Sequence, residues 1–348
     1  MKKKLMSILL AMLMVVSLIG CGGQQSSDSN SADSDAEVSE EEAAPTHEFT
    51  RLVLGTSSLG GTYYTLGGGW ANILNGKIEN LEITVEQTGG PSSNLELMEA
   101  GDMELAFVTT WVSGDGWDGN PDSWAAGNVY QEQRAIFPMY SSIAHLFTLE
   151  GSGIEDIMDF NGKNMTIGNP GATGNLVGNG LVDSLGLTPK NINAVSTEVA
   201  MDNLKDGTSD CGVNVTGVPG PAFLNAETTH DIKYISLTED QMAALQEVYP
   251  YWSEGTIPAG SYKNQDEDVR AIALWNACVC DKDMDEDLVY EIVKTTFESL
   301  EELKTVDATA AQFNAQDVNN CGIPLHPGAA RYYEEIGITL ADNVKPID

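Results

Sequence analysis

Gly55-Thr56-Ser57-Ser58-Leu59-Gly60-Gly61-Thr62-Tyr63-Tyr64 is the stretch on which the reading of this chain turns. It follows the short apolar run Arg51 to Gly55, which has strand character. It leads into Thr62 to Asn75, where Leu66, Trp70, Ile73 and Leu74 recur near helical spacing. A glycine-rich turn between a strand and a helix presents aligned backbone N–H groups at the positive helix end, a place suited to an anion. Gly61 stands where a phosphate-binding P-loop needs lysine, so nucleotide hydrolysis is disfavoured. A second such loop is Gly168-Asn169-Pro170-Gly171-Ala172-Thr173-Gly174-Asn175, and it lacks the G-x-G-x-x-G spacing of dinucleotide binders. Taken singly, each loop also reads as a tight turn whose glycines allow positive φ. Their matching positions favour a shared role, because ligands of open α/β sheets lie beyond the carboxyl ends of strands.

Outward from the first loop, Glu82 to Glu86 alternates as a strand. Ser92 to Ala100 reads as a helix behind Gly89-Gly90-Pro91, and Leu105 to Val108 as a buried strand. This β-α-β-α-β order implies a parallel sheet with right-handed crossovers. A Gly/Asp/Trp-rich loop (Ser113 to Gly127) precedes two strands, Ala135 to Tyr140 and Ala144 to Leu149. The order then restarts around the second loop. Met165 to Gly168 is a strand, Asn175 to Gly186 a helix, Asn193 to Ser196 a strand, Val199 to Lys205 a helix and Cys211 to Val215 a strand. Ala271 to Cys280 is a further strand, and Leu288 to Leu303 the clearest amphipathic helix. The expected architecture is α/β and two-lobed, with a ligand cleft between the lobes. Residues 49–149 with 270–348 form lobe I, and 150–269 form lobe II.

The N-terminus has its own logic. Lys2, Lys3 and Lys4 precede an apolar run, Leu5 to Ile19, too short at roughly 22 Å to cross a hydrocarbon core of about 30 Å. Residues 1–20 read as a lipoprotein signal peptide, and Leu18-Ile19-Gly20-Cys21 resembles a bacterial lipobox whose cysteine is acylated. Two acyl chains on Cys21 would hold the protein to the bilayer, outside the cytoplasm. Residues 22–48 carry eight acids, no lysine or arginine and almost nothing apolar, so 21–48 is expected to be an acylated cysteine with a disordered acidic tether.

Charge narrows the partners. Fourteen basic residues against 44 acidic ones leave a net charge of −30 on residues 49–348, which argues against nucleic acid and anionic lipid surfaces. A small anionic ligand then needs a locally built site. Cys211, Cys278, Cys280 and Cys321 are expected to be buried free thiols, with a Cys211 pairing as the alternative. Neither their spacing nor that of His47, His145, His230 and His326 suits a metal, and nothing calls for a cofactor. No nucleophile motif is present, so an enzyme is not expected. His326, between Pro324 and Pro327, reads as part of a rigid turn. Arg134 opens a strand near the lobe junction; a surface ion pair is its favoured reading and contact with the ligand the alternative.

Several blocks in order resemble the TAXI solute receptors, the extracytoplasmic binding proteins that serve TRAP transporters. Gly61-Thr62-Tyr63-Tyr64 with Leu66-Gly67-Gly68 resembles their N-terminal motif, and Thr88 to Leu95 with Ala100-Gly101-Asp102 the next block. Phe160-Asn161-Gly162-Lys163 leading into Gly168 to Gly171 is similar to their second-lobe loop. Tyr249-Pro250-Tyr251 with Ile257 to Tyr262, and Ile323 to Tyr333, are similar to later blocks. The resemblance implies a type II periplasmic-binding-protein fold, closure by hinge motion on a small solute, glutamate-like or another carboxylate, and delivery to a TRAP permease. An extracellular sensor feeding a signalling receptor is the alternative. Where the family often has Gly-Ser-Gly this chain has Ala172-Thr173-Gly174, and Thr109-Thr110-Trp111 replaces a usual glutamine and aspartate. Candidate ligand contacts are Gly60, Gly61, Thr62, Tyr63 and Tyr64; Thr88 and Ser92; Thr109, Thr110 and Trp111; Gly171, Ala172, Thr173, Gly174 and Asn175; and Thr216.

Overall fold

The computed structural model describes residues 47–347; the signal segment, Cys21 and almost all of the acidic tether lie outside the described residues. The chain begins with β1 (Thr50–Gly55), α1 (Thr62–Lys77), β2 (Leu81–Glu86), α2 (Pro91–Glu99), β3 (Leu105–Thr109), α3 (Thr110–Asp118) and the long β4 (Gln133–Leu149). Next come β5 (Asn164–Ile167), α4 (Thr173–Leu185), β6 (Asn191–Ala194), α5 (Thr197–Lys205) and β7 (Cys211–Thr216). They are followed by α6 (Pro221–Ala226), β8 (Ile232–Tyr234), α7 (Glu239–Val248), β9 (Ser253–Ile257) and β10 (Val269–Asp281). The chain closes with α8 (Glu286–Glu298), α9 (Leu300–Val306) and α10 (Pro327–Glu335).

The strands lie in the order β2-β1-β3-β10-β4-β7-β5-β6, with β8 on β4 and β9 on β10. β1 is parallel to β2 and β3, and β5 is parallel to β6 and β7, the two runs expected from the alternating pattern. β10 and β4 are antiparallel to each other and join the two runs. The apolar cores divide accordingly. The first holds Leu52 to Tyr140 and Ala277 to Val344, and the other two clusters draw their buried residues from Ile143 to Leu274. The changeover therefore falls inside β4 and β10, near Tyr140–Ser142 and Leu274–Asn276. The β4–β10 register shifts there, between Trp275 and Ala277.

Three expectations about the elements need correcting. Ala135–Tyr140 and Ala144–Leu149 are one strand, because Ser141 and Ile143 keep pairing with β10 through the polar gap. The first part of the Gly/Asp/Trp-rich loop is α3, despite Gly114 and Gly116. Ser113 is held by the Gln133 side chain (2.6 Å), and a Cβ on Gly116 would lie 2.8 Å from the Trp124 ring. Tertiary contacts here override weak helix propensity. Leu288 to Leu303 is two helices, with Ser299 capping the end of α8 outside helical geometry.

The four described cysteines are free and buried. Burial pushes the Cys211 thiol up to about 12 and raises those of Cys278, Cys280 and Cys321 as well. Arg134 is not in a surface ion pair. It is buried, donates to the carbonyls of Gln131 and Gln133, and lies over the Trp117 ring. His326 caps α10 by accepting from the Gly328 N–H, and Pro327 occupies the first helical position, where a missing N–H costs nothing. Among the described residues no helix is long and apolar enough to cross a membrane.

Candidate functional site

Both glycine-rich loops reach one cavity between the cores. Its wall includes Ser57, Ser58, Gly61, Thr62, Tyr63 and Pro91 on one side, and Gly168, Asn169, Ala172, Thr173, Gly174, Thr197, Asn214, Val215 and Thr216 on the other. Tyr140 and Ser142 of β4 form the floor. The cavity measures about 30 Å³, room for about two water molecules.

The space is small because the two sides hydrogen-bond to each other. The Thr62 hydroxyl lies 2.9 Å from that of Thr216 and accepts from the Gly217 N–H at 3.1 Å. Thr109 meets Thr173, hydroxyl to hydroxyl, at 2.5 Å. The Ser92 N–H and hydroxyl both donate to the Gly171 carbonyl, at 3.2 and 3.1 Å, and the Ala222 N–H donates to the Gly60 carbonyl at 3.2 Å. The glycines permit this approach. A Cβ on Gly90 would sit 2.8 Å from the Ala172 Cα, and one on Gly171, whose φ is +90°, would sit 2.2 Å from Ser93 Oγ.

Beneath the cavity Asn276 ties the floor together. Its amide donates to the Tyr140 carbonyl (2.7 Å) and to Ser142 Oγ (2.8 Å), and its oxygen accepts from the Tyr63 phenol (2.6 Å). Burial raises the pKa values of both phenols, Tyr63 and Tyr140. A second buried chain supports the loop after β7. The Gly220 N–H donates to the Tyr262 hydroxyl, which donates to His145 Nε2, while His145 Nδ1–H donates to the Ile143 carbonyl. These roles need the Nδ1–H tautomer. Desolvation lowers the His145 pKa to about 4, so the ring stays neutral and the chain stays intact.

The structure brings Gly61, Thr62, Tyr63, Ala172, Thr173, Gly174 and Thr216 into the wall and places the other candidates elsewhere. Gly60 and Tyr64 line an outer groove with Glu198 and Lys205. Thr88 donates to the Thr56 carbonyl and to Asn94, and Thr110 to the Trp275 carbonyl. Asn175 donates back to the Gly168 carbonyl, a helix-opening bond that turns it from the cavity. Ser92, Thr109 and Gly171 hold one side to the other. Trp111 stacks on Tyr251 (5.3 Å between centroids) and packs against Tyr249 and Trp252, touching both cores.

Sequence reasoning missed Tyr140, Ser142, Thr197 and Asn214. The first two sit in what read as strand and gap, and only a polar interruption in an apolar run marked them. Thr197 and Asn214, joined by a 2.8 Å hydrogen bond, carry no local signal. Ser57, Ser58, Gly168 and Asn169 lie within the two loops but were not singled out. Among the described residues no cluster of three or more His, Cys, Asp or Glu is placed to hold a metal ion.

The family model described as NMT1-like family matches residues 54–337. A solved structure from Bordetella bronchiseptica is similar at 15% identity and a TM-score of 0.50, over 82% of this chain and 98% of that one. Another, described as a periplasmic transporter, is similar at 12% identity and a TM-score of 0.52, over 86% and 100%. The fold is thus α/β, as the strand and helix pattern implied, and type II periplasmic-binding-protein-like, as the resemblance implied.

Proposed function

The chain belongs to the NMT1-like family, and on that premise we propose that it is a solute receptor, a binding protein and not a catalyst, that works outside the cytoplasm. It captures a small organic anion between its halves and delivers it to a membrane transporter. The observation that carries this reading is the shared wall: Thr62 and Thr173, each at the start of a helix from a different core, face one cavity. A ligand touching both would stabilise the closed state, which is the whole mechanism such a receptor needs. The moving bodies are the two halves that hold the separate cores, bending where β4 and β10 pass between them, near Tyr140–Ser142 and Leu274–Asn276.

The transporter is a TRAP permease, a choice supported by the sequence blocks that resemble TAXI receptors. Cys21, diacylated, tethers the receptor to the bilayer, and residues 22–48 let it reach the permease. The solute is a carboxylate, held by backbone N–H groups and hydroxyls.

A thermal-shift panel of mono- and dicarboxylates, keto acids and amino acids tests the proposal. A compound at 100 times its dissociation constant adds about 2.7 kcal/mol of stability. The account expects at least one such shift; a panel without any removes the receptor reading.

A further inference from the structure

We propose that the solute is a small oxyanion with no cationic group, a simple, hydroxy or keto carboxylate, and that amino acids are rejected. This rests on the receptor reading and narrows it. Residues 49–348 hold 44 acids, yet the cavity wall contains no aspartate, glutamate, lysine, arginine or histidine. Either sign of ligand charge must therefore be met by dipoles alone.

The two helix dipoles present have one sign, and the acceptors in the wall, the Asn169 and Asn214 amide oxygens among them, are all neutral. α1 (16 residues) and α4 (13 residues) are preceded by Gly61 and Ala172 at their N-caps, neither of which caps its helix with a side chain. Thr62, Tyr63, Thr173 and Gly174, whose N–H groups precede the first intrahelical bonds, line the wall. Two positive helix ends from opposite halves thus share the cavity, which favours an anion and opposes an ammonium group.

A separate observation points to a ligand in the same place. Tyr140 lines the cavity, and its fully buried hydroxyl makes no hydrogen bond, although the Ser142 and Thr62 hydroxyls, engaged with Asn276 and Thr216, lie near enough to act on it. An unpaired buried hydroxyl is costly unless something else satisfies it. Burial keeps this phenol protonated, so it has a proton to give to an oxyanion. The neighbouring Tyr63 phenol is committed to Asn276.

An α-ammonium group entering here would lose its water and find no carboxylate. The carboxylate that acts on Tyr140 most directly is Asp307, which is outside the wall and accepts from the Thr309 N–H and hydroxyl at the start of its own short helix.

The test uses the full-length protein and matched compounds that differ only at the second carbon: alanine, lactate and pyruvate; glutamate, 2-hydroxyglutarate and 2-oxoglutarate; leucine and 4-methyl-2-oxopentanoate. Calorimetric titration should find a keto or hydroxy acid that binds, with its amino counterpart weaker by about 100-fold or more. An amino acid that binds as tightly as its partner overturns the inference and leaves the receptor reading standing. Failure of every compound, in a wider panel as well, overturns both. Tyr140→Phe should weaken the bound acid about tenfold with no loss of thermal stability, since the hydroxyl it removes is unpaired. Unchanged affinity in that variant contradicts the role given to the phenol.

Discussion

Asn276 interrupts an otherwise apolar strand, and that interruption was its only mark in the sequence. In the fold it satisfies the Tyr63 phenol, the Tyr140 carbonyl and the Ser142 hydroxyl where the β4–β10 ladder shifts register. Asn276→Leu leaves three buried polar groups short of partners, at about 1–3 kcal/mol for each that stays unsatisfied. Urea denaturation should show a loss of at least about 2 kcal/mol, and a loss below about 0.5 kcal/mol would mean the site relaxes around the change. His145 belongs to the same scale. Its folded pKa of about 4 lies below the 6.5 of an exposed histidine, so in acid the unfolded chain takes up a proton first. Stability attributable to the neutral ring is complete above pH 6.5 and falls by about 3 kcal/mol as pH drops towards 4. His326 is shifted in the same direction by burial and adds to the slope. A His145→Gln variant should lose correspondingly less stability between pH 6.5 and 4.5 than the parent; parallel curves would sink the assignment.

Elements carry the closure. α3 was legible as a loop only, since glycines at 114 and 116 hide a helix that forms because Gln133, Trp124 and Tyr130 pack around it. Its Trp111 read as a cleft aromatic and is instead wedged against Tyr249, Tyr251 and Trp252 of the other half. Aromatic pairs contribute about 0.5–1.5 kcal/mol beyond the area they bury. Trp111→Ala should therefore lower affinity for the best compound of the panel about tenfold without touching it. Equal affinities would mean the aromatic cluster is intact in the open state too. The glycine-rich turn before α2 tests the opposite surface. A Cβ on Gly89 would lie 2.7 Å from the Pro170 carbonyl, at a backbone angle any residue can adopt. Gly89→Ala should keep its melting temperature within a few degrees and lose ligand affinity, because Ser93 Oγ, 2.5 Å away in the same half, can rotate aside whereas the Pro170 backbone of the other half cannot. A variant with normal affinity would show that this contact is not needed for closure.

At the scale of the whole molecule, the alternating order of strands and helices was readable because each parallel run is local: every strand is followed by its own crossover helix. The crossing of β4 and β10 was not, since pairing across more than 120 residues leaves no local pattern. The same limit explains the site. Loops at strand ends were visible from their glycines, whereas Thr197 and Asn214 join them only through the fold. The wall so assembled is uncharged within a strongly acidic chain, and its two sides are hydrogen-bonded to each other around about 30 Å³. A carboxylate of several carbons enters only if the halves part. Opening and closing is therefore the claim on which the rest depends.

It is tested most directly by the distance between spin labels at Glu96→Cys on α2 and Asn179→Cys on α4, in a Cys21→Ser background. Both positions are exposed, and the buried native thiols, with raised pKa values, resist labelling. The account predicts a broad or longer distribution alone that collapses to one shorter distance when a binding carboxylate is added. An identical distribution with and without that compound would contradict it.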